Sequence, residues 1–170
     1  MAGNKQFSQP MPSVRIISNV NQKRKMKGNC LCGSVEFEID GNEFNIYQCH
    51  CSLCKRQSGS TSNSSTIVTK KSLRFTKGND LISSWIKDTG FRSDFCSRCG
   101  SPVPNPLRNL DLYWVPVGLL PVSVKATVVA HLCISTISSW HLLEPGVAKF
   151  QDVPDLGLLK ELLTGSSHDG

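Results

Sequence analysis

From Val35 onward apolar and polar residues alternate. Val35, Phe37 and Ile39 share one face, Glu36 and Glu38 the other, and Asp40-Gly41 turns the chain. A period of two predicts a half-buried strand. Further short strands are expected at residues 45–51, 64–69, 73–75, 81–86, 112–117 and 126–134, with Gly, Pro, Asn or Asp in most of the gaps. Strands this short and closely spaced favour an all-β sheet arrangement over βαβ units. One segment reads as a helix: Asp155 can cap a stretch in which Leu156, Leu159 and Leu163 share a face, and Gly165 can end it. Packing on the sheet is its expected role. Residues 58–66, rich in Ser and Thr around Gly59, read as a loop running into a strand.

The chain has 170 residues, 39% hydrophobic and 19% charged, which suits one folded domain and argues against general disorder. The net charge of +6 invites a nucleic-acid partner, but its position weakens that reading. Residues 1–27 hold Lys5, Arg15, Lys23, Arg24, Lys25 and Lys27 and no acid, leaving thirteen bases against thirteen acids in the remainder. Residues 1–25 are therefore expected to form a flexible basic arm, in which residues 14–17 offer at most an edge strand. The domain proper is expected over 26–155, with the helix and a tail over 156–170.

No continuous apolar core marks the first thirty residues as a secretory signal. The most apolar stretch, 112–134, is broken by Pro116, Pro121 and Lys125, and falls short of the ~20 residues a membrane span needs. A cytoplasmic protein without a membrane partner is the expectation; no feature specifies an oligomeric state. In such a reducing setting, clustered thiols point to metal or catalysis rather than to disulfides.

Seven of the eight cysteines fall into three groups: Cys30 and Cys32, then Cys49, Cys51 and Cys54, then Cys96 and Cys99. Two close pairs suit a four-thiolate zinc site, and a group of three leaves one position open. The count favours Cys30, Cys32, Cys96 and Cys99 as the closed site, though spacing alone lets the middle group pair with either flank. Gly33 and Gly100 follow the two pairs, where tight turns can aim the sulfurs inward. On a strand, Cys49 and Cys51 point to one face and His50 to the other. That trio fits two readings equally: a second structural zinc completed by a His or by Cys133, or a catalytic zinc open to water or substrate. By residue type alone, Cys133 reads as a buried small hydrophobe, and Lys55 and Arg56 as a solvated charged face before carboxylate-steering groups. His131, Trp140 and His141 suggest no role.

The motifs Gly28-Asn-Cys-Leu-Cys-Gly-Ser-Val35, Cys49-His-Cys-Ser-Leu-Cys-Lys-Arg56 with Ser58-Gly59, and Phe95-Cys-Ser-Arg-Cys-Gly-Ser101 occur in that order. Leu73-Arg-Phe75 before Gly78, and Ser139-Trp140-His141 before Phe150, follow suit. Over roughly residues 25–154 this arrangement closely resembles the glutathione-dependent formaldehyde-activating enzyme family, which includes the domain of centromere protein V. The resemblance implies a mainly β fold of Mss4-like type, with zinc-stapled antiparallel sheets and two Zn²⁺ per chain. It implies that Cys30, Cys32, Cys96 and Cys99 hold a structural zinc and Cys49, Cys51 and Cys54 a catalytic one. The implied reaction is that of a carbon–sulfur lyase acting on a thiol–aldehyde adduct, with glutathione and formaldehyde as the leading pair of small-molecule partners. Two other classes compete: a non-enzymatic zinc interaction module, and a thiol–disulfide oxidoreductase using Cys96 and Cys99. The latter lacks its usual βαβ context.

Overall fold

The structure, a computed structural model, describes residues 24–165. The basic arm expected over residues 1–25 lies outside the described residues up to residue 23, as does its candidate edge strand at 14–17. Strand β1 (Lys25–Asn29) pairs antiparallel with β2 (Glu36–Asp40), which carries the alternating Phe37 and Ile39 into the core. Strand β3 (Glu43–Cys49) leads into the short helix α1 (Ser52–Ser58), and β4 (Asn63–Thr69) follows. Next come β5 (Leu73–Lys77), β6 (Ile82–Ile86), β7 (Arg92–Cys96), β8 (Pro102–Val103), β9 (Asn105–Pro106) and β10 (Leu112–Pro116). Strand β11 (Lys125–Leu132), β12 (Ala148–Lys149) and helix α2 (Leu156–Thr164) complete the chain.

These strands form three sheets, ordered β1-β2-β5, β12-β11-β3-β4-β10-β9 and β6-β7-β8. The fold is mainly β with antiparallel pairing dominant and a short C-terminal helix, as expected. One departure matters for function: β11 runs parallel to β3, with Leu132 opposite Cys49, and β12 runs parallel to β11. The end of β3 is thereby flanked by β4 on one side and β11 on the other.

Helix α1 was not expected. The 58–66 segment, read as a loop running into a strand, begins on the last residue of this helix and then forms a turn and β4, as expected. Cys51 is the N-cap, its sulfur accepting from the Cys54 N–H at 3.4 Å. Gly59, with φ of 65°, closes the helix in the left-handed conformation that lacks a Cβ penalty. Seven residues with no buried member give no amphipathic period, so periodicity alone could not find this helix.

The apolar core falls into three clusters, two of which draw on more than one sheet. Phe37, Ile39, Leu73, Val115 and Leu120 pack together, while Cys30, Val35, Cys96 and Val103 form a second cluster. Tyr47, Cys49, Trp114, Ala130, Leu132, Cys133 and Leu159 form the third. Helix α2 reaches this last cluster through Leu159 and is capped as expected: Asp155 accepts from the Leu158 N–H at 3.0 Å, and Gly165 ends it.

Candidate metal centre and cavity

Two turns bring the outer cysteine pairs together. Cys30 follows β1, and the turn after it closes with Gly33 N–H donating to the Cys30 carbonyl at 3.0 Å. Cys96 ends β7, and Gly100 N–H donates to its carbonyl at 2.8 Å. Gly33 and Gly100 both adopt positive φ, 68° and 73°, so the two turns are built alike. Leu31 N–H donates to Ser101 Oγ at 3.1 Å and links them. The Sγ atoms of Cys30, Cys32, Cys96 and Cys99 all lie within 4.8 Å of one another. Measured pairs stand at 3.6 Å (Cys30–Cys32) and 3.9 Å (Cys32–Cys96). A tetrahedral zinc with bonds of ~2.3 Å sets its sulfurs about 3.8 Å apart, so this donor set fits that ion. The Val35 N–H also donates to Cys30 Sγ at 3.2 Å, and hydrogen bonding from Ser34 pulls the Cys32 thiol down to about 6.

The middle cysteines form a separate group. Cys49 closes β3, Cys51 caps α1 and Cys54 sits in its first turn, and their sulfurs also lie within 4.8 Å of one another. Although the strand ends at Cys49, one residue later the chain still sends His50 to the other side, where it is buried against His131. The thiols of Cys49 and Cys54 hydrogen-bond to Cys51 and pull it down to about 2, while the bond to Cys51 pushes Cys49 far up. The trio thus favours one thiolate even before a cation adds its own pull. Cys133 is buried in the apolar cluster, as expected of a small hydrophobe, and its Sγ also stands 3.9 Å from that of Cys49. The mutually close set nevertheless stops at three.

Cys49, Cys51 and Cys54 line a cavity of about 620 Å³. Its walls come from β3 (Tyr47), β4 (Ile67), β10 (Trp114), β11 (Leu132), α1 (Leu53, Gln57) and α2 (Leu156, Leu159). Burial pushes the Tyr47 phenol up, so it stands in the wall as a neutral hydroxyl. Residues 89–92 and 105–108 also line the cavity and bring Arg92, Asn105 and Arg108 to it. Arg92 is engaged by buried Asp94 through two bonds of 2.7 and 2.9 Å. Arg108 has no carboxylate partner among the described residues, and its backbone holds a positive φ of 51°. Asn105 is buried, its Oδ1 without a hydrogen-bond partner.

The basic residues singled out by sequence lie elsewhere. Lys55 Nζ donates to the Thr136 carbonyl at 2.7 Å, and Arg56 borders a second, smaller hollow beside Trp85. Arg108 and Asn105 were missed because nothing in a Pro- and Asn-rich turn distinguishes them locally; only their convergence on the thiols does.

Residues 25–135 match the model of the glutathione-dependent formaldehyde-activating enzyme family. The chain belongs to that family, which places it in a glutathione-related, formaldehyde-activating class and agrees with its Mss4-like, mainly β architecture. A crystal structure of a Rhodobacter sphaeroides protein, a Northeast Structural Genomics target, is similar at 21% identity over 74% of this chain and 99% of that one, with a TM-score of 0.48. Comparison with proteins of curated function gives no match. Among the described residues, no helix is long and apolar enough to cross a membrane.

Proposed function

We propose that the chain is a zinc-dependent carbon–sulfur lyase that makes and breaks a thiol–aldehyde adduct, with S-(hydroxymethyl)glutathione formed from glutathione and formaldehyde as the leading case. In this reading Cys30, Cys32, Cys96 and Cys99 hold a structural zinc. Cys49, Cys51 and Cys54 hold a catalytic one. One observation carries the proposal: three cysteines, rather than four, meet at the wall of a largely apolar cavity of about 620 Å³. Zinc held there supplies an open coordination position that lowers the pKa of a substrate thiol and polarises a carbonyl oxygen.

The residues of the chain do the rest. The cavity takes the thiol end of its substrate among Tyr47, Trp114, Ile67 and Leu132, which keep bulk water from the reacting sulfur. Arg108 in the lining suits a carboxylate, and the unpartnered Asn105 Oδ1 suits a peptide N–H, so a small acidic peptide thiol matches the lining. The thiolate attacks the aldehyde carbon, a carbon–sulfur bond forms, the carbonyl π pair moves to oxygen, and a proton from solvent completes the hydroxymethyl group. No residue is oxidised or reduced.

The test is the rate of adduct formation or breakdown above the spontaneous background. Wild-type protein should exceed that background only when zinc is bound. Cys54→Ser should return it to background, with loss of one zinc per chain and retention of the fold. Absence of a zinc-dependent increase across small aldehydes and thiols would overturn the proposal.

A further inference from the structure

On the other side of His50 from the cysteine trio, three histidines converge. His50 follows β3, His131 belongs to β11, and His141 lies in the connection between β11 and β12. One ring nitrogen of each lies within 4.8 Å of those of the other two. His50 and His131 are fully buried and His141 is half-buried. None of the three lines the cavity shared by the trio.

Their hydrogen bonds leave a proton problem. His50 Nδ1 lies 3.2 Å from the Thr61 carbonyl oxygen, which can only accept, so the proton of a neutral His50 is on Nδ1 and its Nε2 carries a lone pair. That Nε2 faces His131 Nδ1 at 3.1 Å. The other nitrogen of His131, Nε2, is 3.5 Å from Glu144 Oε2 and has no hydrogen-bond partner. A proton on His131 Nδ1 leaves a lone pair facing the carboxylate; a proton on Nε2 leaves two lone pairs confronting each other at 3.1 Å. His141 repeats the pattern. Its Nδ1 is 2.8 Å from Thr61 Oγ1, and its Nε2 has almost no solvent contact and no partner.

We propose that His50, His131 and His141 form a third metal site, which takes a first-row divalent cation of the zinc type on three imidazole nitrogens. A cation at His50 Nε2, His131 Nδ1 and His141 Nε2 relieves the confronted lone pairs and engages the orphaned nitrogen of His141. Each outer nitrogen then has an acceptor: the Thr61 carbonyl for His50, Thr61 Oγ1 for His141 and Glu144 for His131. Orientation of metal-binding histidines through the second ring nitrogen is how such sites are usually supported. The ring centroids stand 5.4, 4.4 and 5.9 Å apart. Three imidazoles around one ion at about 2.0–2.1 Å with tetrahedral angles have centroids about 5 Å apart. An all-imidazole donor set without carboxylate selects zinc, cobalt, nickel or copper over magnesium and calcium. The site ties the exposed connection around residue 141 to the ends of β3 and β11. Its fourth position is left to water.

The test uses the full chain with its thiolate sites already loaded, equilibrated with Zn²⁺ and then with Co²⁺, and counts metal per chain by atomic emission. Wild type should hold one equivalent more than His141→Ala. Thr61→Val, which removes one outer partner but keeps the backbone carbonyl, should bind that equivalent roughly 10–100-fold more weakly. A purely hydrogen-bonded cluster would show no such graded loss. X-ray absorption of the wild-type zinc should contain imidazole-ring scattering beside sulfur, which keeps the test open if His141→Ala does not fold. Equal metal counts in folded wild type and His141→Ala, or a zinc spectrum without imidazole, would overturn the site.

Discussion

Gly78 shows how a single residue can be fixed by backbone contact rather than by chemistry. It holds a positive φ of 67°, and a Cβ there would overlap the Ser34 carbonyl oxygen beside the first cysteine turn. Gly78→Ala is expected to cost at least ~2 kcal/mol, from strain and displaced backbone together. Urea denaturation measures it, and a loss under 0.5 kcal/mol, on the order of an ordinary surface substitution, would contradict the assignment. Gly28 is constrained differently, its missing side chain replaced by the ring of Phe37 across the β1–β2 pair. Arg92 supplies a second case at this scale. Its guanidinium is the charge partner of Asp94, whose side chain is only 4% exposed. Removing it by Arg92→Ala leaves a buried carboxylate unpaired. The expected loss is about 2–3 kcal/mol, below the range for a fully buried pair because Arg92 is itself partly solvated. A double-mutant cycle with Asp94→Asn, read by denaturant midpoint, isolates the pair and should show strong coupling.

At the scale of elements, the strand-to-helix junction after β3 is what brings three cysteines to one point. Cys49 arrives on the strand, Cys51 caps α1, and the first turn of the helix returns Cys54 to the same side. Local spacing made the metal-binding chemistry legible in the sequence, because ligands this close need only one turn to converge. Helix α1 itself was not legible, since it buries no residue and is held by its caps rather than by an amphipathic face. Helix α2 was legible, because Asp155, the spaced leucines and Gly165 state its start, buried face and end. Asp155→Ala should remove the bond to the Leu158 N–H and cost about 1 kcal/mol. Leu159 and Leu156 also wall the cavity. The same substitution should therefore raise KM for the thiol more than it lowers kcat, a split that steady-state kinetics resolves.

At the scale of the molecule, the four-cysteine site ties the β1–β2–β5 sheet to the β6–β7–β8 sheet across more than sixty residues of chain. With zinc bound there, chelation should lower Tm markedly, because the metal's binding free energy is part of the folding free energy. The pH dependence has a definite sign. Zinc-bound cysteines carry no proton in the folded state, whereas free thiols of the unfolded chain hold theirs up to about pH 8.5. The unfolded state therefore binds more protons, and stability should rise with pH below that value. Melting curves at several pH values, with and without chelator, check this: the slope should flatten when the metal is removed. A slope that persists unchanged in chelator would place its origin elsewhere.

The linear order of residues was sufficient for β2–β6, β10 and β11, the last helix and the membership of the cysteine groups, but not for β1, β7, β8, β9 or β12. Each legible feature rests on interactions a few residues long: alternation, capping and ligand spacing. Which group closes with which was decided by folding, since Cys32 and Cys96 meet only when two sheets pack. The parallel pairing of β3 with β11 is of the same kind, as is the approach of Cys133 to Cys49. So are the cavity, whose wall draws on both helices and several strands, and the meeting of His50, His131 and His141 from three distant points. Such contacts cost loop-closure entropy that no local pattern records. They form because packing of the apolar clusters around Phe37, Cys30 and Tyr47 repays it.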